Sequence, residues 1–278
     1  MSDALIGHVE PPDLHVMTYN IRRRHNRPGL RASDRWTRRR PLVQSLVRTE
    51  RPTLLGVQEA RPDQALALRA ALAPRYRFLG HGRSIGGRGE GNPLFYDDER
   101  LELEEWAQEA LSDRADETGS RSWGNLVPRA LVTATFRDRA TGRRLFVINT
   151  HFDHLSGRAR RQSARAVVHR VAAQPHPAIV MGDLNAGERS PAVAELLRDG
   201  TLTDAWAEAS VRLTAEWGTF SNYRPPRVGR PRIDWILVST GVEVLRAGIN
   251  TARVDGAWPS DHLPVQALVR LGERAAGA

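Results

Sequence analysis

The sequence predicts an α/β protein in which two similar sheets pack together with helices outside. Three observations lead there. Apolar runs of strand length alternate with segments at helical spacing. The strand-length runs end repeatedly in polar residues able to do chemistry. The order of elements in the first 110 residues loosely recurs after residue 144, as strand, helix, a second strand ending in a carboxylate, and later hairpin strands. No linker divides the chain. Residues 1–13 read as an N-terminal extension, 14–271 as one domain, and 272–278 as a disordered tail.

Composition narrows the class. A chain of 278 residues with 40% hydrophobic content can bury a sizeable core. No apolar run approaches the roughly 20 residues of a membrane span, and residues 1–15 lack a signal-peptide pattern, so the expected address is cytoplasmic. The absence of cysteine excludes disulfides, thiolate metal sites and a cysteine nucleophile. A bound metal must therefore take oxygen or nitrogen ligands. The formal charge of +9 suits a polyanion, but every basic residue is Arg and none is Lys, which points to compositional bias.

Residues 14–20 alternate as a strand ending at Asn20. The Arg-rich segment 21–40, with Pro28-Gly29, reads as a surface loop, and a helix is expected from Pro41 to Arg51. Residues 53–59 form a short strand delivering Glu59. A helix over 63–73 and a strand over 76–79 precede the Gly-rich stretch 80–91, expected as a mobile loop without the ending of a P-loop. Residues 93–96 and 101–106 suggest a hairpin through Asp97-Asp98, and 107–127 a polar insertion. A second hairpin is expected between 130–136 and 145–149, running into His151, Asp153 and His154. Helices follow at 158–172 and, behind a Ser190-Pro191 cap, at 190–198. Further strands cover 233–238, 242–249 and 265–271.

The stretch 178–186 draws these elements together. An apolar strand ends in Gly182 and then offers Asp183 and Asn185, two residues apart and so on one side. The carboxylate can orient a water or bind a hard metal ion, and the carboxamide can donate to a phosphoryl oxygen. Six strands end in or carry Asn20, Glu59, His151, Asp183 with Asn185, Asp234, and Asp261 with His262. Such a set supplies oxygen ligands, an imidazole with a carboxylate, and amide donors for phosphate.

At Met-Thr-Tyr-Asn (17–20), Val-Gln-Glu (57–59), Asn-Thr-His (149–151), Gly-Asp-Leu-Asn (182–185), Ile-Asp-Trp-Ile-Leu (233–237) and Ser-Asp-His-Leu-Pro-Val (260–265), the chain resembles the endonuclease/exonuclease/phosphatase superfamily. The resemblance implies the DNase I-like fold, a four-layered α/β/β/α sandwich of two packed mixed sheets with outer helices. It also implies phosphoester cleavage with Mg2+, or Mn2+ in its place. By the same resemblance Glu59 is the principal metal ligand, with Asn20 beside it and Asp261 close to the metal or its waters. His262 is the catalytic histidine and Asp234 its partner. Asp183 orients or deprotonates the attacking water, leaving the formal base open between Asp183 and His262. Asn185 and His151 bind the scissile phosphate. Glu90 matches an acid supporting the first active-site histidine, Arg129 a phosphate contact, and Asp153 with His154 a group behind His151.

Three functions follow. A nuclease cleaving phosphodiesters, acting as a monomer on nucleic acid, comes first. The alternative is a phosphatase or phosphodiesterase of a small phosphorylated metabolite, an inositol phosphate or a phospholipid headgroup, and the third is an inactive binding protein on the same fold. Loops 21–40, 80–92, 107–127 and 217–232 decide among them, and Arg224, Arg227 and Arg230 beside Trp217, Phe220 and Tyr223 would suit a nucleic acid backbone.

Overall fold

The computed structural model describes residues 3–25 and 31–272. In chain order it places β1 (Asp13–Asn20), α1 (Trp36–Glu50), β2 (Leu54–Gln58), α2 (Pro62–Leu72), β3 (Tyr76–Leu79), β4 (Gly82–Ser84), β5 (Arg88–Gly91), β6 (Leu94–Asp97), β7 (Leu101–Ala110), β8 (Ala130–Asp138) and β9 (Arg144–His151). Then come α3 (Gly157–Ala172), β10 (Ala178–Asp183), α4 (Pro191–Leu197), β11 (Thr203–Asp204), α5 (Ala205–Glu208), β12 (Val211–Arg212), β13 (Asp234–Val238), β14 (Val242–Ile249) and β15 (Val265–Leu271). A seven-stranded sheet has the order β12-β14-β15-β1-β2-β6-β3 and a six-stranded sheet the order β11-β13-β10-β9-β8-β7.

Alternation along each strand assigns its two faces. In β1, Leu14 and Val16 join a core shared with Val147, Ile179, Met181 and Ile236 of the other sheet. The intervening Met17 and Tyr19 pack outward on Trp36, Val43 and Val47 of α1 and Leu68 of α2. In β10, Ala178 and Val180 face Ala164 and Val167 of α3 and Val193 of α4. The layers are therefore helices, sheet, sheet, helices. Burial of apolar side chains on both faces of each sheet is what holds them together.

Between the sheets, the buried Asn149 amide donates to the carbonyls of Val57, Asn92 and Pro93, each at 3.0 Å, while its oxygen accepts from Gln58 at 2.7 Å. Gly56 makes that approach feasible, since a Cβ there would lie 2.5 Å from Met181 Sδ. Among the described residues no helix is long and apolar enough to cross a membrane.

Several expectations are corrected. α1 begins at Trp36 and carries Pro41 inside it. The buried Arg39 anchors its first turns by donating to the carbonyls of Ile21, Arg22 and Arg23. The stretch 80–91 is an ordered hairpin of β4 and β5, because Gly82 lets the strands close to a distance no Cβ allows (2.2 Å to the Arg88 carbonyl) and Arg83 pairs with Glu90 across it. β6 and β7 form no hairpin. β6 pairs with β2 and β3, whereas β7 pairs with β8 in the other sheet, so the Asp97-Asp98 turn carries the chain between sheets. The expected hairpin of β8 and β9 is present. Of the expected tail, 273–278 lies outside the described residues, as does the Pro28-Gly29 turn.

Candidate active site

Register brings the polar strand ends into line. Asp183 of β10 is paired with His151 of parallel β9 on one side and with Asp234 of antiparallel β13 on the other. All three have the parity of the inward residues Val147, Ile179 and Ile236, so their side chains point between the sheets. In the facing sheet Asn20 shares the parity of Leu14 and Val16 and lies beside Gln58. Glu59 follows with φ 62°, and this left-handed residue interrupts the alternation at the strand's end. The segment Ser260–His262 precedes β15, antiparallel to β1, and Ser260 Oγ donates to the Asn20 carbonyl at 2.7 Å.

The motif Gly-Asp-Leu-Asn has a steric cause. A Cβ on Gly182 would stand 2.1 Å from the Thr150 carbonyl oxygen, so only glycine lets β10 pass β9 here. Asn185 adopts φ 47°, tolerable for Asn, and its backbone N–H donates to Asp183 Oδ1 at 2.9 Å. Its side-chain amide donates to the Phe152 carbonyl at 3.1 Å.

Two linked groups result. His262, just ahead of β15 in the first sheet, reaches across to the second, where its Nδ1 lies 2.9 Å from Asp234 Oδ2 and its Nε2 lies 3.9 Å from Asp183 Oδ2. His151 Nε2 approaches the same Asp183 oxygen at 3.6 Å. In the first sheet Asn20 Nδ2 donates to Asp183 Oδ2 at 2.9 Å and to Glu59 Oε1 at 3.2 Å, joining the two groups. Glu59 Oε2 accepts from the Arg23 backbone at 3.0 Å. The Arg22 guanidinium lies between the first-sheet carboxylates, 4.0 Å from Glu59 Oε2 and 3.5 Å from Asp261 Oδ2.

Burial and charge set the protonation states. Burial opposes a charged His262, but Asp234, Asp183 and Asp261 outweigh it and push its pKa up to about 10. Burial, then the charge of Asp234, raises the Asp183 carboxyl above its ordinary range. Burial works the same way on Glu59, yet the Arg23 N–H and the charges of His262 and Arg22 leave it below its ordinary value. Burial raises Asp261 against the pull of His262 and Arg22. His151 is driven well below its ordinary value by burial and by Arg129 and Arg83, so it is neutral.

These groups border a cavity of about 340 Å³, also lined by Arg22, Arg23, Arg83, Glu90, Arg129, His154, Asn185 and Phe220. Phe220 is half exposed and tilts over the His262 ring with centroids 5.1 Å apart. A larger depression of about 680 Å³, near Pro177 and Thr240, lies at the opposite ends of β9, β10 and β13 and holds none of the strand-end carboxylates.

Two sets of residues offer themselves to a metal. Asp183, Asp234 and His262 bring their ligand atoms within 4.8 Å of one another. That trio suits a proton relay better, because Nδ1 of His262 is occupied by Asp234 and an imidazolium has no lone pair to give. Glu59 and Asp261, with the side-chain oxygen Oδ1 of Asn20, offer hard oxygen donors with a guanidinium already drawn between the carboxylates, and that donor set fits a hard divalent cation.

Glu90 departs from expectation. It accepts from Arg83 and Arg23, each at 2.7 Å, and does not support His151, whose Nδ1 is buried without a partner among the described residues. The nearby guanidiniums outbid a neutral imidazole for the carboxylate. Asp153 sits behind the cavity, accepting from the Leu155 and Ser156 backbones and from Arg129. Arg129 does line the cavity. Sequence reasoning missed Arg22 and Arg83, whose Arg-rich and Gly-rich contexts read as loop, and missed that Phe220 covers His262.

The model of the Endonuclease/Exonuclease/phosphatase family matches residues 17–262. The chain belongs to this family. Among solved structures, a family member from Bacteroides thetaiotaomicron is 29% identical, with 95% of this chain and 99% of that one covered and a TM-score of 0.87. One from Bacteroides vulgatus is 31% identical over 93% and 99%, with a TM-score of 0.86. A mannosyl-6-phosphatase from Bacteroides thetaiotaomicron is 29% identical over 92% and 99%, with a TM-score of 0.85. A search of curated proteins found no match. Membership makes this chain a phosphoesterase hydrolase on the DNase I-like fold, of a family that generally depends on divalent metal.

Proposed function

We propose that this family member hydrolyses the phosphomonoester of a small phosphorylated metabolite, with a sugar phosphate as the favoured class. The observation that carries the reading is the cavity itself. Its volume of about 340 Å³ falls in the range of small-molecule sites and is bounded by buried side chains on the β4–β5 hairpin and by Phe220. Likeness to a mannosyl-6-phosphatase over nearly the whole chain supports the same choice. The nucleic acid expected from the Arg-rich loops gains less, because Arg224, Arg227 and Arg230 border a separate depression that shares only Phe220 and Ile233 with the cavity.

Glu59 and Asp261, with Asn20, would hold the divalent cation, which supplies neutralisation of charge on the phosphoryl oxygens. Asp183, its carboxyl raised and held by Asn20 and the Asn185 backbone, orients the attacking water and takes its proton. His262, kept as imidazolium by Asp234, donates to a phosphoryl oxygen as charge accumulates there. Neutral His151 and the Asn185 amide add uncharged donors. Geometry thus favours Asp183 over His262 as the base.

The test is release of inorganic phosphate from hexose and inositol phosphates in magnesium, beside cleavage of DNA and RNA. Turnover of the small monoesters well above that of polynucleotides supports the proposal. Cleavage of polynucleotides alone returns the protein to the nucleases.

A further inference from the structure

Part of the cavity lining consists of guanidinium groups that the hydrolytic machinery does not use. Arg83 and Arg129 are 7% and 3% exposed. Arg83 Nη2 donates to Glu90 Oε2 at 2.7 Å, and Arg23 Nη1 donates to Glu90 Oε1 at 2.7 Å. Arg129 Nε donates to Asp153 Oδ2 at 3.3 Å, and its Nη2 to His154 Nδ1 at 2.8 Å. Nη1 of Arg83, Nη1 of Arg129 and Nδ1 of His151 are buried with no partner among the described residues.

Charge is also left over. The guanidiniums of Arg23, Arg83 and Arg129 share the carboxylates of Glu90 and Asp153, so within these ion pairs the cations outnumber the carboxylates by one. Burial holds Arg83 below its ordinary value, and the neighbouring Arg129 charge adds to that while Glu90 and Glu59 oppose it. Buried, unmatched cationic donors are costly to maintain, and an anion would relieve them. A phosphomonoester carries close to two negative charges at neutral pH, one more than a diester has.

We propose that Arg83, together with Arg129, forms a subsite for the second charge of a terminal phosphate, making Arg83 the residue that selects monoester over diester. The idea rests on the phosphatase reading above and assigns to the β4–β5 hairpin the choice between substrate classes. The alternative is that the Arg83–Glu90 pair merely staples the hairpin.

The metal-loaded enzyme is assayed on p-nitrophenyl phosphate and on methyl p-nitrophenyl phosphate, which share a leaving group and differ by one charge. Arg83→Gln is expected to lower the monoester-to-diester ratio of kcat/KM at least tenfold, the scale of a hydrogen bond to a charged group. It should also abolish protection from thermal unfolding by inorganic phosphate. Arg83→Lys keeps the charge without the planar fork and is expected to fall between wild type and Arg83→Gln. If Arg83→Gln does not fold, Arg83→Lys carries the test, with a ratio at least threefold below wild type as the supporting result. A ratio within twofold of wild type in the folded variant, with both activities and the melting temperature falling together, reduces the pair to a staple and overturns the subsite alone. A wild type that cleaves only the diester overturns the phosphatase reading and the subsite with it.

Discussion

Nδ1 of His262 and Oδ2 of Asp234 stand 2.9 Å apart, both side chains buried, where two strand ends of different sheets meet. The carboxylate fixes one ring nitrogen and leaves the other facing Asp183. His262→Gln, which fills similar space, should lower kcat about 10²-fold or more. Asp234→Asn should act through the same imidazole, so the double variant should be little worse than the worse single one. Multiplicative losses in steady-state kinetics would show that the two act separately.

Glu59 is itself left-handed, just past the end of β2, and is held by Asn20 and the Arg23 backbone. Glu59→Gln should raise the magnesium concentration needed for half-maximal activity more than tenfold while shifting the melting temperature little. Chelation should abolish wild-type activity, and restoration by magnesium or manganese should recover it. Full activity in chelator contradicts the assignment.

His15 and His151 should each withdraw stability in mild acid, while Asp183 and Asp261, whose carboxyls are raised, work the other way. Burial holds His15 below its ordinary pKa even though Glu50 pulls the other way, and its Nδ1 contacts the Gly7 carbonyl at 2.8 Å. His151 is depressed by the same cause. Both are neutral when folded, so the unfolded chain binds more protons once pH drops below its histidine pKa of about 6.5. The contribution is intact above that value and is lost on acidification below it. His15→Gln should flatten the dependence of melting temperature on pH between 7 and 5. An unchanged slope would mean that His15 is protonated in the folded protein.

Arg224, Arg227 and Arg230 are exposed. Replacing all three by Ala should leave kcat/KM for a small phosphomonoester within about threefold of wild type, since screened surface charges add little to a short-range site. Loss of activity by tenfold or more would restore the nucleic-acid reading, which requires those side chains to carry affinity with a salt slope of roughly 0.7 to 0.9 per phosphate.

Strand ends were readable because a period of two and a change from apolar to polar residues are local properties. Asn20, Glu59, His151, Asp183, Asp234, Asp261 and His262 were all identifiable that way, and the structure brings them together. What failed depends on tertiary partners. Asp97-Asp98 has the same turn chemistry whether the next strand folds back or crosses to the other sheet, and the crossing is set by the pairing of β7 with β8. Arg39 anchors α1 through carbonyls 16 to 18 residues away, so propensity placed the helix start too late at Pro41. Glu90 was matched to a histidine by its position, but its carboxylate is taken by Arg83, across a hairpin that reads as a loop in sequence, and by Arg23, 67 residues away.

The division of labour between Glu59 with Asp261, which hold the metal, and Asp183, Asp234 and His262, which move the proton, is tested most directly by diffraction from manganese-soaked crystals at the manganese edge. An anomalous peak bound by oxygens of Glu59 and Asp261, at roughly the 2.0–2.2 Å of a small divalent cation, is the expected result. A single peak enclosed instead by Asp183, Asp234 and His262 would contradict it.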